Sequence, residues 1–194
     1  MLDVHQQLRE STRTLHAQLD ALPPMRQLLR PDLGESDYAE VLRMLNTWLH
    51  HHAPHLSGLT LPDYAQIDHK FTALARDLKA LGRPVDHYPR AICALNRPFA
   101  LGVHYVIEGS FMGARVLAPK IEAALQRSDI THFYRLYGDN TLANWQQTLA
   151  TLESELQSPE ALQQACDGAR EAFNAMISQI SEQMYSSRTS LKSG

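Results

Sequence analysis

The sequence predicts an all-α fold. Apolar residues recur three or four positions apart over most of the 194 residues, which is the spacing along one face of an α-helix. No run alternates apolar and polar residues as a half-buried strand does, and proline, glycine and serine separate the apolar stretches. Because the chain contains no internal repeat and no low-complexity linker, we expect one helical domain over residues 1–185 and a loose tail over residues 186–194.

The sequence predicts about seven to nine helices. Apolar stripes locate six of them, over residues 4–22, 38–52, 67–81, about 98–118, 142–156 and 162–184, and Pro119 can open a further short helix. Pro54 is expected to end the second helix and Pro119 the long fourth one, since proline disrupts a helix interior. The Ser158–Pro159 pair is a typical start signal for the last helix.

Composition excludes several functional classes. With 18 Lys and Arg against 21 Asp and Glu, the net charge of −3 gives no general attraction to nucleic acid or to an anionic membrane. The longest stretch without a charged residue, Met44–Pro62, contains four histidines and two helix breakers, so it does not resemble a membrane span. The N-terminus does not resemble a signal peptide, and Cys93 and Cys166 are far apart in sequence. We therefore expect a cytoplasmic protein with two reduced thiols.

A polar row lies on the flank of the first helix. Arg9, His16 and Asp20 project within about 40° of one another, at the border of the leucine stripe. A neutral imidazole at this border can bind a metal through one ring nitrogen while a carboxylate accepts the proton of the other. Spacing alone favours an ordinary surface histidine in a row of charges, because solitary histidines are common on helices.

Three glycines form a row on the long fourth helix. Gly102, Gly109 and Gly113 fall within about 40° on a helical wheel, and each costs about 1 kcal/mol relative to alanine. Three such residues on one face need a compensating role. Close packing against another helix, a bend of the helix, and close approach of a planar ligand all remain open.

Three segments are informative together: residues 8–16 (LRESTRTLH), residues 105–117 (YVIEGSFMGARVL), and residues 133–138 (FYRLYG) with Thr141 and Trp145. Together they resemble the heme oxygenase family, particularly its compact bacterial forms. The first is similar to the proximal helix, which carries the histidine that binds iron, the second to the glycine-bearing distal helix, and the third to a segment that follows it in bacterial members. The resemblance implies a single-domain helical bundle with heme between the proximal and distal helices. It also implies oxygen-dependent cleavage of heme to biliverdin, CO and ferrous iron, with electrons from a ferredoxin or reductase.

The resemblance assigns roles on the proximal side. It implies that His16 is the iron ligand and that Arg9 pairs with a heme propionate. Asp20, or a bridging water, would receive the second ring proton. Arg13 is a second candidate for the propionate, although it lies further round the helix. The stretch 145–150, where animal enzymes carry propionate-binding basic residues, has no Lys or Arg.

On the distal side, the resemblance implies that the main chain lies close over the heme at Gly109 and Gly113. Ordered water, positioned by backbone groups and by Ser110, would supply a proton. Animal enzymes carry aspartate at the position of Ser110. We therefore expect Gly109, Ser110 and Gly113 to form the catalytic face, while heme serves as both cofactor and substrate.

Two alternatives remain open at this stage. A non-enzymatic heme carrier on the same fold would share the histidine and the glycines but would release no biliverdin. In a helical interaction module, the glycines would mark helix packing alone. For the enzyme, the product could serve iron acquisition or supply a bilin-using photoreceptor.

Overall fold

A computed structural model describes residues 3–88, 94 and 96–190. This part of the chain forms seven α-helices and two short 3₁₀ turns, Asp63–Ala65 and Gly138–Asn140, with no strand. The helices are α1 (Val4–Ala21), α2 (Pro23–Gln27), α3 (Glu35–Leu56), α4 (Ile67–Ala80), α5 (Arg97–Leu125), α6 (Thr141–Glu155) and α7 (Pro159–Ser190). The all-α prediction is confirmed. Among the described residues, no helix combines the length and the apolar character that a bilayer span requires.

Two predicted helix ends are wrong. Pro54 lies inside α3, which continues to Leu56, and Pro119 lies inside α5, which continues to Leu125. A proline removes one hydrogen bond from the helix, but Ile121, two positions after Pro119, is completely buried. Burial of such residues against the core outweighs the lost bond.

The last helix extends further than the sequence indicated. Its backbone remains helical to Ser190, five residues beyond the predicted domain boundary at 185. Residues 191–194 of the predicted tail lie outside the described residues, as does Cys93. Cys166 is buried and forms no disulfide.

The centre of the fold is the crossing of α5 and α7. A Cβ atom added at Gly102 would collide with the Ala165 carbonyl on α7, and one added at Gly168 would collide with the Phe99 carbonyl on α5. The two glycines therefore allow direct contact between the helix backbones. From Ala100 to Glu108, every residue of α5 is buried.

Polar side chains fix α3 against this centre. The Trp48 indole donates a hydrogen bond of 2.7 Å to the Ala172 carbonyl on α7. The Tyr38 hydroxyl, which is fully buried, donates one of 2.8 Å to the Ile130 carbonyl. Such long-range bonds to buried backbone groups define how the helices sit together, because an unpaired buried carbonyl is costly.

Candidate functional site

The His16–Asp20 contact that the spacing predicted is formed. Nδ1 of His16 lies 2.9 Å from Oδ2 of Asp20, one turn along α1, and both side chains are about two-thirds exposed (63% and 65%). With Nδ1 facing the carboxylate, Nε2 is the ring nitrogen directed away from this contact. A carboxylate on the second nitrogen fixes the tautomer and the orientation of a metal-binding imidazole.

The orientation of α1 follows from its buried face. Val4, Leu8 and Thr12 face the core, and the Thr12 hydroxyl donates a hydrogen bond of 2.8 Å to the Leu8 carbonyl. This face places His16 at the edge of the helix, where its ring lies 5.5 Å from the ring of Phe173 on α7. The imidazole is therefore supported on one side by an apolar ring and is open to solvent on the other.

The three glycines of α5 have different surroundings. Gly102 is in backbone contact with α7, which identifies its role as helix packing. At Gly109, an added Cβ would lie 3.4 Å from the Trp145 ring on α6, an ordinary contact. At Gly113, an added Cβ would have no atom within 4 Å. Only the C-terminal end of the row thus leaves its main chain open to a ligand.

Ser110 lies between these two outer glycines. Its hydroxyl donates a hydrogen bond of 2.7 Å to the Ile107 carbonyl in the preceding turn. The proton of the hydroxyl is therefore already engaged, and the oxygen keeps its lone pairs for accepting a hydrogen bond.

An aromatic cluster connects α1 with α5 and α6. The ring of His5 lies 6.2 Å from that of Tyr105 and 5.9 Å from that of Trp145, and the latter two rings are 5.4 Å apart. Burial raises the pKa of Tyr105 to about 12, and the positive charge of Arg9 partly offsets the rise. Exposed Arg9 is thus within electrostatic range of the phenol. The sequence did not show that His5 lies beside Tyr105 and Trp145, because these three rings come from three separate helices.

A buried charged cluster on α5 was also missed. Glu108, next to Gly109, contacts Lys70 of α4 and Tyr137, and the Lys70 and Glu108 side chains are each 1% exposed. Burial raises the pKa of Glu108 and lowers that of Lys70, in each case against the attraction of the partner charge. The sequence carried one signal for this cluster, since Glu108 is the only charged residue between Arg97 and Arg115.

Comparisons with known proteins bear on the family and the fold. No family model matches the chain. A curated relative, the heme oxygenase of Xanthomonas campestris pv. campestris (strain 8004), is 34% identical over 155 residues, which cover 77% of this chain and 92% of the relative. This chain belongs to the heme oxygenase family. The resemblance deduced from the three sequence segments is thereby confirmed.

Solved heme oxygenases share the fold. Heme oxygenase-1 of the cyanobacterium Synechocystis sp. PCC6803, solved in complex with heme, has a TM-score of 0.70 at 15% identity and covers 98% of this chain and 96% of its own. The NO- and CO-bound heme oxygenase of Neisseria meningitidis has a TM-score of 0.70 at 21% identity, with 94% and 92% covered. The helical architecture therefore extends over nearly the whole of each protein.

Proposed function

We propose that this protein is a heme oxygenase that uses O2 and external electrons to cleave heme into biliverdin, CO and ferrous iron. Membership of the family supports the reaction. The observation that carries the assignment of the site is the His16–Asp20 pair, in which one ring nitrogen faces a carboxylate and the other is left for a metal. A surface histidine without such a partner would have no fixed tautomer.

Two features of the described residues support heme as the ligand. An accessible imidazole is supplied by His16, and bare main chain is supplied at Gly113, where no atom lies near the position of a Cβ. A planar ligand needs both features, because it must be held by its metal and approached closely over its face. Trp145 covers Gly109 and would form a wall at one side of this open stretch.

On the proximal side, His16 would bind the iron through Nε2. Asp20 would accept the proton of Nδ1, which keeps the ring in one tautomer and one orientation. Arg9 would pair with a propionate, in a region that also contains the phenol of Tyr105. Bound heme supplies a redox-active iron and the ring that is oxidised, so the contribution of the protein is orientation.

On the distal side, the backbone at Gly109 and Gly113 would exclude bulky side chains from the face of the heme. Ser110 would hold a water molecule by accepting a hydrogen bond from it, since its own proton is donated to Ile107. The hydroxyl then orients the water that supplies the proton and does not itself lose one. This assignment refines the proton-delivery role expected from the sequence.

The electrons would come from a ferredoxin or a reductase, as in other members of the family. Both kinds of donor, together with the free thiol of Cys166, fit a cytoplasmic enzyme. Arg127 is a poor contact for an acidic donor, because its guanidinium already binds Asp129 and Glu35. Arg9 and Arg13 are exposed and remain better candidates.

A spectroscopic titration followed by turnover tests the proposal. Hemin is added to the protein, the visible spectrum is recorded, and ascorbate or ferredoxin with its reductase is then supplied in air. We expect a spectrum of histidine-ligated heme and then green biliverdin. In His16→Ala both should be lost, whereas the matched control His51→Ala, which removes an exposed imidazole of α3, should behave as wild type.

The same experiment separates the alternatives. A heme carrier would give the ligated spectrum without green pigment, and an interaction module would leave the spectrum of free hemin unchanged. Wild-type spectra and wild-type turnover in His16→Ala would contradict the assignment of the ligand.

A further inference from the structure

The buried charged cluster joins three parts of the fold. Lys70 lies on α4, Glu108 on α5, and Tyr137 immediately before the 3₁₀ turn that leads into α6. Nζ of Lys70 lies 2.9 Å from Oε1 of Glu108 and donates a hydrogen bond of 2.9 Å to the Tyr137 hydroxyl. The same hydroxyl donates one of 2.7 Å to Oε2 of Glu108. The three groups therefore form a closed triangle of polar contacts.

Each group in the triangle has a fixed geometry. Nζ of Lys70 makes a third contact, a hydrogen bond of 3.1 Å to the Ala65 carbonyl, and lies 5.7 Å and 5.5 Å from the ring centres of Phe111 and Tyr137. Oε2 of Glu108 accepts the Tyr137 hydrogen bond, and Oε1 is held by the charge of the Lys70 ammonium without a hydrogen bond of its own. A buried network of this kind favours one arrangement, because a displacement leaves a charge unpaired in a low-dielectric interior.

The triangle lies on a stretch of α5 that the buried Phe111 ring also anchors, 4.5 Å from the ring of Tyr137. Glu108 directly precedes Gly109, and its side chain leaves the helix about 100° from the direction of Gly109 and about 140° from that of Gly113. Glycines contribute no side chain that could fix the height or the rotation of this stretch. The height and the rotation of this stretch must therefore be fixed by side chains on another face of the helix.

We propose that the cluster of Lys70, Glu108 and Tyr137 is a positioning device for the distal helix, which sets how the Gly109–Gly113 stretch lies over heme and thereby helps to select the ring carbon that is attacked. The inference rests on the proposed function. The three side chains act through the helix, so they are positioning residues and touch neither heme nor oxygen. A change of rotation at Glu108 would move both glycines together, since they share one rigid helix.

Two variants loosen the triangle to different degrees. Tyr137→Phe removes one hydroxyl and leaves the ion pair, and Lys70→Met/Glu108→Gln removes both charges together, so that no charge is left buried alone. The matched control is Tyr38→Phe, which removes a buried hydroxyl bonded to the Ile130 carbonyl, outside the triangle. The control makes the same chemical change at a hydroxyl whose hydrogen bond lies outside the triangle.

Two readouts follow the position of the helix. The first is the dissociation rate of CO from the ferrous heme complex, which senses the space above the iron, and the second is the isomer composition of the biliverdin released. We expect the triangle variants to change the CO rate about fivefold, the equivalent of ~1 kcal/mol, and to release a second isomer. Tyr38→Phe should reproduce the wild-type rate and isomer.

The outcomes are distinct. If both triangle variants bind hemin and match wild type in CO rate and isomer composition, the cluster only stabilises the fold and the inference is overturned. If Tyr137→Phe does not fold, the CO rate and the isomer composition of the double variant Lys70→Met/Glu108→Gln decide between the same two outcomes. If wild-type protein gives no ligated hemin or no biliverdin, the proposed function fails and this inference falls with it.

Discussion

The two ends of the glycine row on α5 show how the same residue serves opposite purposes. At Gly102 the missing side chain lets the backbone of α5 touch that of α7. At Gly113, about three turns further along the same helix, the missing side chain leaves open space. A glycine in contact with a neighbouring backbone stabilises the fold, whereas one that faces nothing costs stability unless a ligand uses the space. The comparison separates a structural region from a functional one.

The largest effect on stability is expected at Gly102, where the helix backbones touch. In Gly102→Ala the new methyl group would overlap the Ala165 carbonyl, which is main chain and cannot rotate away. We expect the free energy of unfolding, measured by urea denaturation at pH 7, to fall by about 3 kcal/mol or more. Gly113→Ala is the matched control and should not be destabilised. If the two variants are equally stable, Gly102 is not in closer contact with its surroundings than Gly113.

A smaller effect on stability is expected from His104, which lies in the buried part of α5, residues 100–108, beside Lys70 and Glu108. Burial lowers its pKa to about 3 from an ordinary value of 6.5, and the charge of Lys70 adds to the decrease. The unfolded chain therefore takes up this proton first, and the stability that the neutral ring contributes is lost as the pH falls from about 6.5 towards 3. Between pH 7 and pH 5 the loss is about 2 kcal/mol.

The variant His104→Leu isolates this contribution. Its unfolding free energy should decrease by about 2 kcal/mol less than that of wild type between pH 7 and pH 5, because the other acid-sensitive groups are common to both proteins. Buried His52, whose pKa burial also lowers to about 3, is one of them. Tyr38→Phe, a buried change without an acid-range titration, should keep the wild-type pH dependence. If the unfolding free energy of His104→Leu decreases between pH 7 and pH 5 as much as that of wild type, water reaches this part of α5.

The smallest effect on stability is expected at Gly113, where the position of an added side chain is open. Gly113→Leu places a side chain where no atom lies within 4 Å and should raise the free energy of unfolding by up to about 1 kcal/mol, since leucine favours a helix over glycine. Its cost should fall on hemin binding and biliverdin formation, because the side chain would fill the space proposed for heme. A normal rate of biliverdin production in this variant would refute the close approach of the main chain.

Local patterns predicted much of this structure. The 3.6-residue periodicity is a property of short segments, so it identified the helices, and the one-turn spacing of His16 and Asp20 predicted the contact between them. The family resemblance depended on residues that are close together in sequence. Heme oxygenase could therefore be recognised before any tertiary contact was known.

Long-range packing could not be predicted in the same way. Wheel geometry placed Gly102 and Gly113 in one row, but it did not show that α7, some 60 residues later, covers only the first of them. The continuation of α5 past Pro119 likewise depends on burial of Ile121 in the assembled core. The partners of Glu108 come from α4 and from the segment before α6, so only the unusual charge in an apolar helix pointed to them.

A crystal structure of the protein with hemin bound tests the proposed site directly. We expect the iron to be bonded to Nε2 of His16, with Nδ1 of the same ring on Asp20, and the nearest main chain on the opposite face to belong to the stretch that ends at Gly113. Iron bonded to another histidine, such as His5, or heme bound away from that stretch, would overturn this assignment.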